Sequence, residues 1–180
     1  MTQAQAQTPV QAQANILIVD DELLNRKLFQ TLLHLKGYLT STAANADEAL
    51  SLMRQNTPDL ILLDIMMPGT DGYQLAEIIK TDAAWTNIPI IMVTALIDPS
   101  SRTTGIGAGA DDVLTKPVDR SELWLKIKNL LRLQELEVLR QVQKDLLKRN
   151  LELEQHILQS TTKLQNLANI LHLFESGELN

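Results

Sequence analysis

The sequence predicts an α/β protein: a doubly wound, five-stranded parallel sheet whose last helix extends into a long coiled coil. Three observations predict it. From Asn15 to about Pro117, apolar runs of strand length alternate with segments of helical period, the pattern of repeated βα units. The runs Ile16 to Val19, Leu60 to Leu63 and Ile90 to Val93 are continuously apolar, as central strands covered by helices on both faces must be. Finally, no Pro or Gly interrupts Arg120 to Ser176. Those roughly 57 residues would span on the order of 85 Å as a helix, more than one small domain can bury.

Residues 1 to 14 are Gln- and Ala-rich with almost nothing large and apolar to bury, so a disordered leader is expected there. Residues 15 to 130 form the domain and 131 to 180 the helical extension. Tyr38 to Ala43 and Val113 to Thr115 complete the strands. Helices are expected at Leu24 to Lys36, Ala46 to Gln55, Gly72 to Lys80 and Ser100 to Ala108, the last weakened by Gly105 and Gly107. The final helix opens with Asp119 as N-cap, Glu122 as capping-box partner, and Val118 with Leu123 as a hydrophobic staple. Right-handed crossovers then place a site at the carboxyl ends of the strands, near the switch point of the sheet.

Composition narrows the function. Residues 1 to 120 hold 8 Lys+Arg against 14 Asp+Glu, whereas residues 121 to 180 hold 8 of each, so the net charge of -6 belongs to the N-terminal domain. Direct nucleic-acid binding needs clustered cations, and an acidic domain with no basic stripe argues against it. The absence of cysteine excludes disulfides, thiol catalysis and thiolate metal sites. No apolar run approaches the roughly 20 residues of a membrane span, and no secretory h-region is present, so a cytoplasmic protein is expected.

Asp20 and Asp21 follow the first strand, Asp64 ends the third, Thr94 ends the fourth, and Lys116 with Pro117 ends the fifth. All fall on one edge of the sheet. Three clustered carboxylates repel one another unless they hold a hard, oxygen-seeking cation, and Mg²⁺ suits few carboxylates and retained waters. Beside such a cation an aspartate can act as nucleophile toward phosphorus, while ammonium and hydroxyl stabilise the phosphoryl oxygens.

The segments Val19-Asp20-Asp21-Glu22, Asp64-Ile65-Met66-Met67-Pro68-Gly69-Thr70-Asp71-Gly72, Val93-Thr94-Ala95 and Leu114-Thr115-Lys116-Pro117 together closely resemble the response regulator receiver family. Their order matches, with intervals of 43, 30 and 22 residues between Asp21, Asp64, Thr94 and Lys116. The resemblance covers roughly residues 15 to 130. It implies a flavodoxin-like (βα)5 fold in which Asp64 accepts a phosphoryl group from a phosphohistidine on a histidine kinase or histidine phosphotransfer protein. Asp20, Asp21, Asp64 and the Met66 carbonyl would hold Mg²⁺. Lys116, its bond to Pro117 cis, would pair with the phosphoryl oxygens, and Thr94 would swing inward as the switch. The family places an aromatic three residues before the lysine; here that position is Val113, a departure at the second element of the switch.

Other polar residues have plainer expectations. Asp71-Gly72 makes the turn into a helix, Asp111-Asp112 makes a solvated turn before the fifth strand, and His34, His156 and His172 are exposed or partly packed helical residues. Along the tail, a heptad frame puts Leu136, Leu139, Gln143, Leu146, Asn150, Leu153, Ile157, Ser160, Leu164, Leu167, Leu171 and Phe174 at a and d. The frame sets Glu135 against Arg140 and Arg149 against Glu154 across a parallel pair, and Asn150 at an a position favours an in-register homodimer through residues 136 to 174. The alternatives are a helix folded back on its domain, or a hairpin bent at Ser160-Thr161-Thr162. No output motif follows residue 121. The coiled coil is then itself the output, or the chain is the regulatory front of a longer protein, or a constitutive scaffold with a vestigial receiver.

Overall fold

The computed structural model describes residues 13–69, 71–95 and 107–175. Five parallel strands, β1 (Asn15–Val19), β2 (Leu39–Ala43), β3 (Leu60–Asp64), β4 (Ile90–Thr94) and β5 (Asp112–Thr115), form one sheet in the order β2-β1-β3-β4-β5. The register sets Val19 beside Ala43 and Leu63, Asp64 beside Val93, and Thr94 beside Thr115. The strand ends therefore line up along one edge. The order reverses between β1 and β3, the switch point where open α/β sheets leave a crevice.

Strand side chains divide by parity, as a period of two requires. Leu17, Val19, Ile61, Leu63, Ile90 and Met92 join one buried cluster with Met53, Leu75, Ile79 and Trp85. Ile16, Ile18, Leu60, Leu62, Ile91, Val93 and Leu114 join the other, with Phe29, Leu33, Leu123 and Ile127. The continuous apolar runs are thus two half-faces, each covered by helices. Three of those helices are α1 (Leu23–His34), α2 (Ala46–Gln55) and α3 (Gly72–Thr81).

Helix ends follow local chemistry. Asn45 Oδ1 accepts from Glu48 N at 2.9 Å to open α2, and Asp71 Oδ1 accepts from Gln74 N at 2.8 Å to open α3, so Asp71 has the turn role expected of it. α1 closes in a Schellman arrangement: Tyr38 N donates to Leu33 O at 3.2 Å and Gly37 N to His34 O at 3.0 Å, with Gly37 at φ +81°. Residues 1–12 of the expected leader (1–14) and most of the expected helix from Ser100 to Ala108 lie outside the described residues.

Asp111 and Asp112 are more than a solvated turn. Asp111 Oδ2 accepts from Ile90 N and Lys80 Nζ, both at 2.8 Å, and Asp112 begins β5 and meets Lys126 Nζ at 2.6 Å. Nothing local in the sequence names these partners, which lie on β4, α3 and the last helix.

The C-terminal helix runs unbroken from Arg120 to Glu175. Asp119 Oδ1 accepts from Ser121 N and Glu122 N, both at 2.9 Å, which makes it the N-cap. Glu122, assigned to a capping box, instead faces Lys126 one turn on, at 3.6 Å. Val118 and Leu123 enter the same apolar cluster. Trp124 Nε1 donates to Leu32 O at 3.1 Å, capping one of the last carbonyls of α1, and Lys36 Nζ lies 4.2 Å from its ring centroid.

The chain divides into two units, Met1–Gln134 and Glu135–Asn180. In the second unit the helix passes through Ser160-Thr161-Thr162 without a break, each threonine hydroxyl donating to the carbonyl four residues back at 2.9 Å. That corrects the hairpin alternative: hydroxyls that lower helix propensity in an interior can still bond back to the helix's own carbonyls and leave it unbroken. Among the described residues, no helix is long and apolar enough to cross a membrane.

Candidate functional site at the carboxyl edge of the sheet

Strand ends bring the predicted residues together. Asp20 follows β1 and is 1% exposed, Asp64 ends β3 at 5%, and Thr94 ends β4 at 1%. Carboxylate oxygens of Asp20, Asp21 and Asp64 lie within 4.8 Å of one another. Lys116, just beyond β5, spans the gap: Nζ lies 2.7 Å from Asp64 Oδ2 and 3.1 Å from Asp20 Oδ2. Its backbone N donates to Thr94 O at 2.7 Å, and the peptide bond to Pro117 is cis. Met66 N lies 3.3 Å from Asp64 Oδ1.

Burial is the largest influence on Asp64 and pushes its carboxyl above the usual carboxylate range. The hydrogen bond and charge of Lys116 and the Met66 N–H pull the other way, while Asp20 adds to the rise. Burial also acts to lower Lys116, but hydrogen bonds and charges from Asp64 and Asp20 outweigh it and hold the ammonium above the ordinary lysine value. Both values move up, so the site favours the charged form of Lys116 and disfavours that of Asp64. Both directions follow from geometry: Lys116 faces two carboxylates, whereas Asp64 is the more buried and has Asp20 beside it.

Close packing fixes the Asp64 loop. Gly72 N donates to Ile65 O at 2.9 Å, and a Cβ on Gly72 would overlap the Asp64 carbonyl and stand 2.8 Å from the Ile65 Cα. Val113 is set apart from the pocket. It pairs with Met92 across β4 and β5 and is buried in the core cluster, so the position that carries a ring in the family carries core aliphatic packing here.

Two residues of α1 that the sequence reading passed over belong to the site. Asn25 Nδ2 lies 3.1 and 3.0 Å from the two Asp20 oxygens and 3.0 Å from Glu22 Oε2. Arg26 Nη1 lies 2.6 Å from Asp20 O and 2.9 Å from Asp21 O. The available signal was polar residues at the fourth and fifth positions after Asp21, one helical turn beyond the carboxylates.

A family model described as the response regulator receiver domain matches residues 16–128. The chain belongs to this family. The receiver is 44% identical over 123 residues to the "Probable transcriptional regulator ycf27" of Guillardia theta, covering 68% of this chain and 47% of that protein. It is 40% identical over 119 residues to the response regulator PleD of Caulobacter vibrioides, covering 66% of this chain and 26% of that protein. The chain thus spans about half the length of the first of these relatives, or less for the second. Among solved structures, a CheY-like response regulator receiver domain protein from Methanospirillum hungatei superposes with a TM-score of 0.65 at 32% identity, covering 70% of this chain and 99% of that one. The receiver is a signalling module of the two-component type.

Proposed function

We propose that this receiver is phosphorylated on Asp64 by a histidine kinase or histidine phosphotransfer protein, and that phosphorylation controls a homodimeric C-terminal helix. The carrying observation is Lys116 Nζ standing between Asp64 and Asp20 beside Asp21, a pocket that pairs a carboxylate nucleophile with a cation for the incoming phosphoryl oxygens.

The donor set is all oxygen, three carboxylates of which two are buried, and this fits Mg²⁺. Asp20, Asp21, Asp64 and the Met66 carbonyl would hold it. When bound, it offsets the carboxylate charge and screens the developing negative charge on the phosphoryl oxygens. In the transfer, a bond forms between an Asp64 oxygen and phosphorus as the donor's N–P bond breaks, and the departing imidazole takes up a proton. Lys116 then faces the phosphoryl oxygens in place of the Asp64 carboxylate. Thr94, on the neighbouring strand end, supplies the hydroxyl of the switch, and Val113, in the core cluster, stands at the position where the family carries a ring.

The homodimer reading rests on the second unit. Leu136, Leu139, Leu146, Leu153, Ile157, Leu164, Leu167 and Leu171 repeat at a and d spacing on one unbroken helix, and each is at least 45% exposed.

The test treats the full chain with a small-molecule phosphodonor and Mg²⁺ and follows the intact mass. The wild type is expected to gain one phosphoryl group and Asp64→Asn none; an adduct that survives in Asp64→Asn would overturn the assignment. Light scattering with Mg²⁺ alone and with added beryllofluoride then reads the assembly state. A dimer in both makes phosphorylation a change of geometry, a monomer that dimerises makes association the signal, and a monomer in both overturns the homodimer.

A further inference from the structure

Asp20 is held more completely than its neighbours among the carboxylates. Its Oδ1 accepts from Glu22 N at 2.8 Å and Asn25 Nδ2 at 3.1 Å, and its Oδ2 from Asn25 Nδ2 at 3.0 Å and Lys116 Nζ at 3.1 Å. Among the described residues, Asn25 is the one side chain that hydrogen-bonds both oxygens, and the same amide reaches Glu22 Oε2 at 3.0 Å. Asparagine is a poor helix former. Here it sits in the first turn of α1 between Leu24 and Arg26, with its amide turned back onto the loop rather than out to water. Arg26 seizes the backbone carbonyls of the same loop, so side chain and main chain are pinned by consecutive residues.

We propose that Asn25 is the positioning residue of the cation site, fixing the plane of the Asp20 carboxylate and holding the Glu22 carboxylate at the rim. This rests on the reading of the pocket as a Mg²⁺ site. A carboxylate free to rotate must be ordered when the cation binds, and one already clamped carries no such cost. A neutral amide suits the task, since it donates to Asp20 without adding a positive charge that would oppose the incoming cation. Partners that orient metal ligands from behind are typically worth roughly 10–100-fold in metal affinity.

The test titrates magnesium chloride into the full chain by isothermal calorimetry for wild type, Asn25→Ala and Asn25→Ser. Thermal melts in EDTA accompany it, with phosphoryl uptake from a small donor measured across Mg²⁺ concentration. Expected is a rise of roughly tenfold in the Mg²⁺ dissociation constant, matched by the Mg²⁺ concentration for half-maximal phosphoryl uptake, in variants that still melt cooperatively in EDTA. Unchanged Mg²⁺ affinity in either folded variant would overturn the proposal. So would a melt and a saturating rate that fall together with the affinity, because that pattern marks support of the fold. Should Asn25→Ala fail to fold, Asn25→Ser decides on the same readouts. A wild type that binds no Mg²⁺ would overturn the underlying reading of the pocket instead, a separate result.

Discussion

Lys116 Nζ lies 2.7 Å from Asp64 Oδ2, and the two residues come from strands separated by β4 in the sheet. The contact joins the proposed phosphoacceptor to the cation that would face the incoming phosphoryl oxygens. Removing the ammonium, as in Lys116→Ala, leaves Asp64 and Asp20 facing each other unscreened and takes away one stabiliser of the transferring oxygens. Phosphoryl uptake from a small donor at saturating Mg²⁺ is expected to fall by roughly 10²-fold. Time-resolved intact mass measures it, and an unchanged rate would remove Lys116 from the chemistry.

Asp64 gives the metal-free protein a pH dependence of definite sign. Its pKa is raised in the fold, chiefly by burial. Between the ordinary carboxylate value and the raised one, the folded state keeps a proton that the unfolded chain has released, so stability falls as pH rises through that window. Asp64→Asn removes the effect. In EDTA at neutral pH the variant is expected to melt at or above the wild-type temperature, and below the ordinary carboxylate pKa the two should converge. A lower melting temperature for Asp64→Asn at neutral pH would contradict the direction assigned to Asp64.

Lys116 acts at the other end of the scale. Its raised pKa means that its ion pairs contribute fully below the ordinary lysine value and are lost as pH rises through the folded one. Alkaline melts should therefore show a steeper decline for wild type than for Lys116→Met. Parallel declines would mean that the ammonium contributes little to the fold.

Gly72 tests the packing behind Asp64. Its φ is unexceptional, so the demand is for space alone: a Cβ would overlap the Asp64 carbonyl. Gly72→Ala is expected to cost about 1–3 kcal/mol by denaturant titration, the range for overpacked sites, and to shift the end of β3. A neutral result would show that the loop yields freely.

In the tail, Leu146→Glu together with Leu153→Glu places charges at two d positions of the proposed seam. Light scattering is expected to give a monomer for this pair of changes. A dimer that persists would move the interface elsewhere on the chain.

The fold and the principal site residues were legible in the sequence because their signals are local. Short continuous apolar runs that alternate with segments of helical period read as parallel strands covered on both sides, and a carboxylate, hydroxyl or lysine immediately after such a run then lands on the edge where the strands end. Asp20, Asp64, Thr94 and Lys116 are of this kind, as are the caps Asp71 and Asp119, whose partners lie two to three residues away. Tertiary structure alone decided which donors surround those groups. Lys116 reaches Asp20 and Asp64 from 96 and 52 residues away, Asp112 finds Lys126 only once β5 and the C-terminal helix are adjacent, and Trp124 caps α1 from 92 residues away. Such contacts depend on side-chain direction and distance in space. A sequence records neither until its helices have been laid against the sheet, and the raised pKa of Asp64, being chiefly an effect of burial, follows from that same packing.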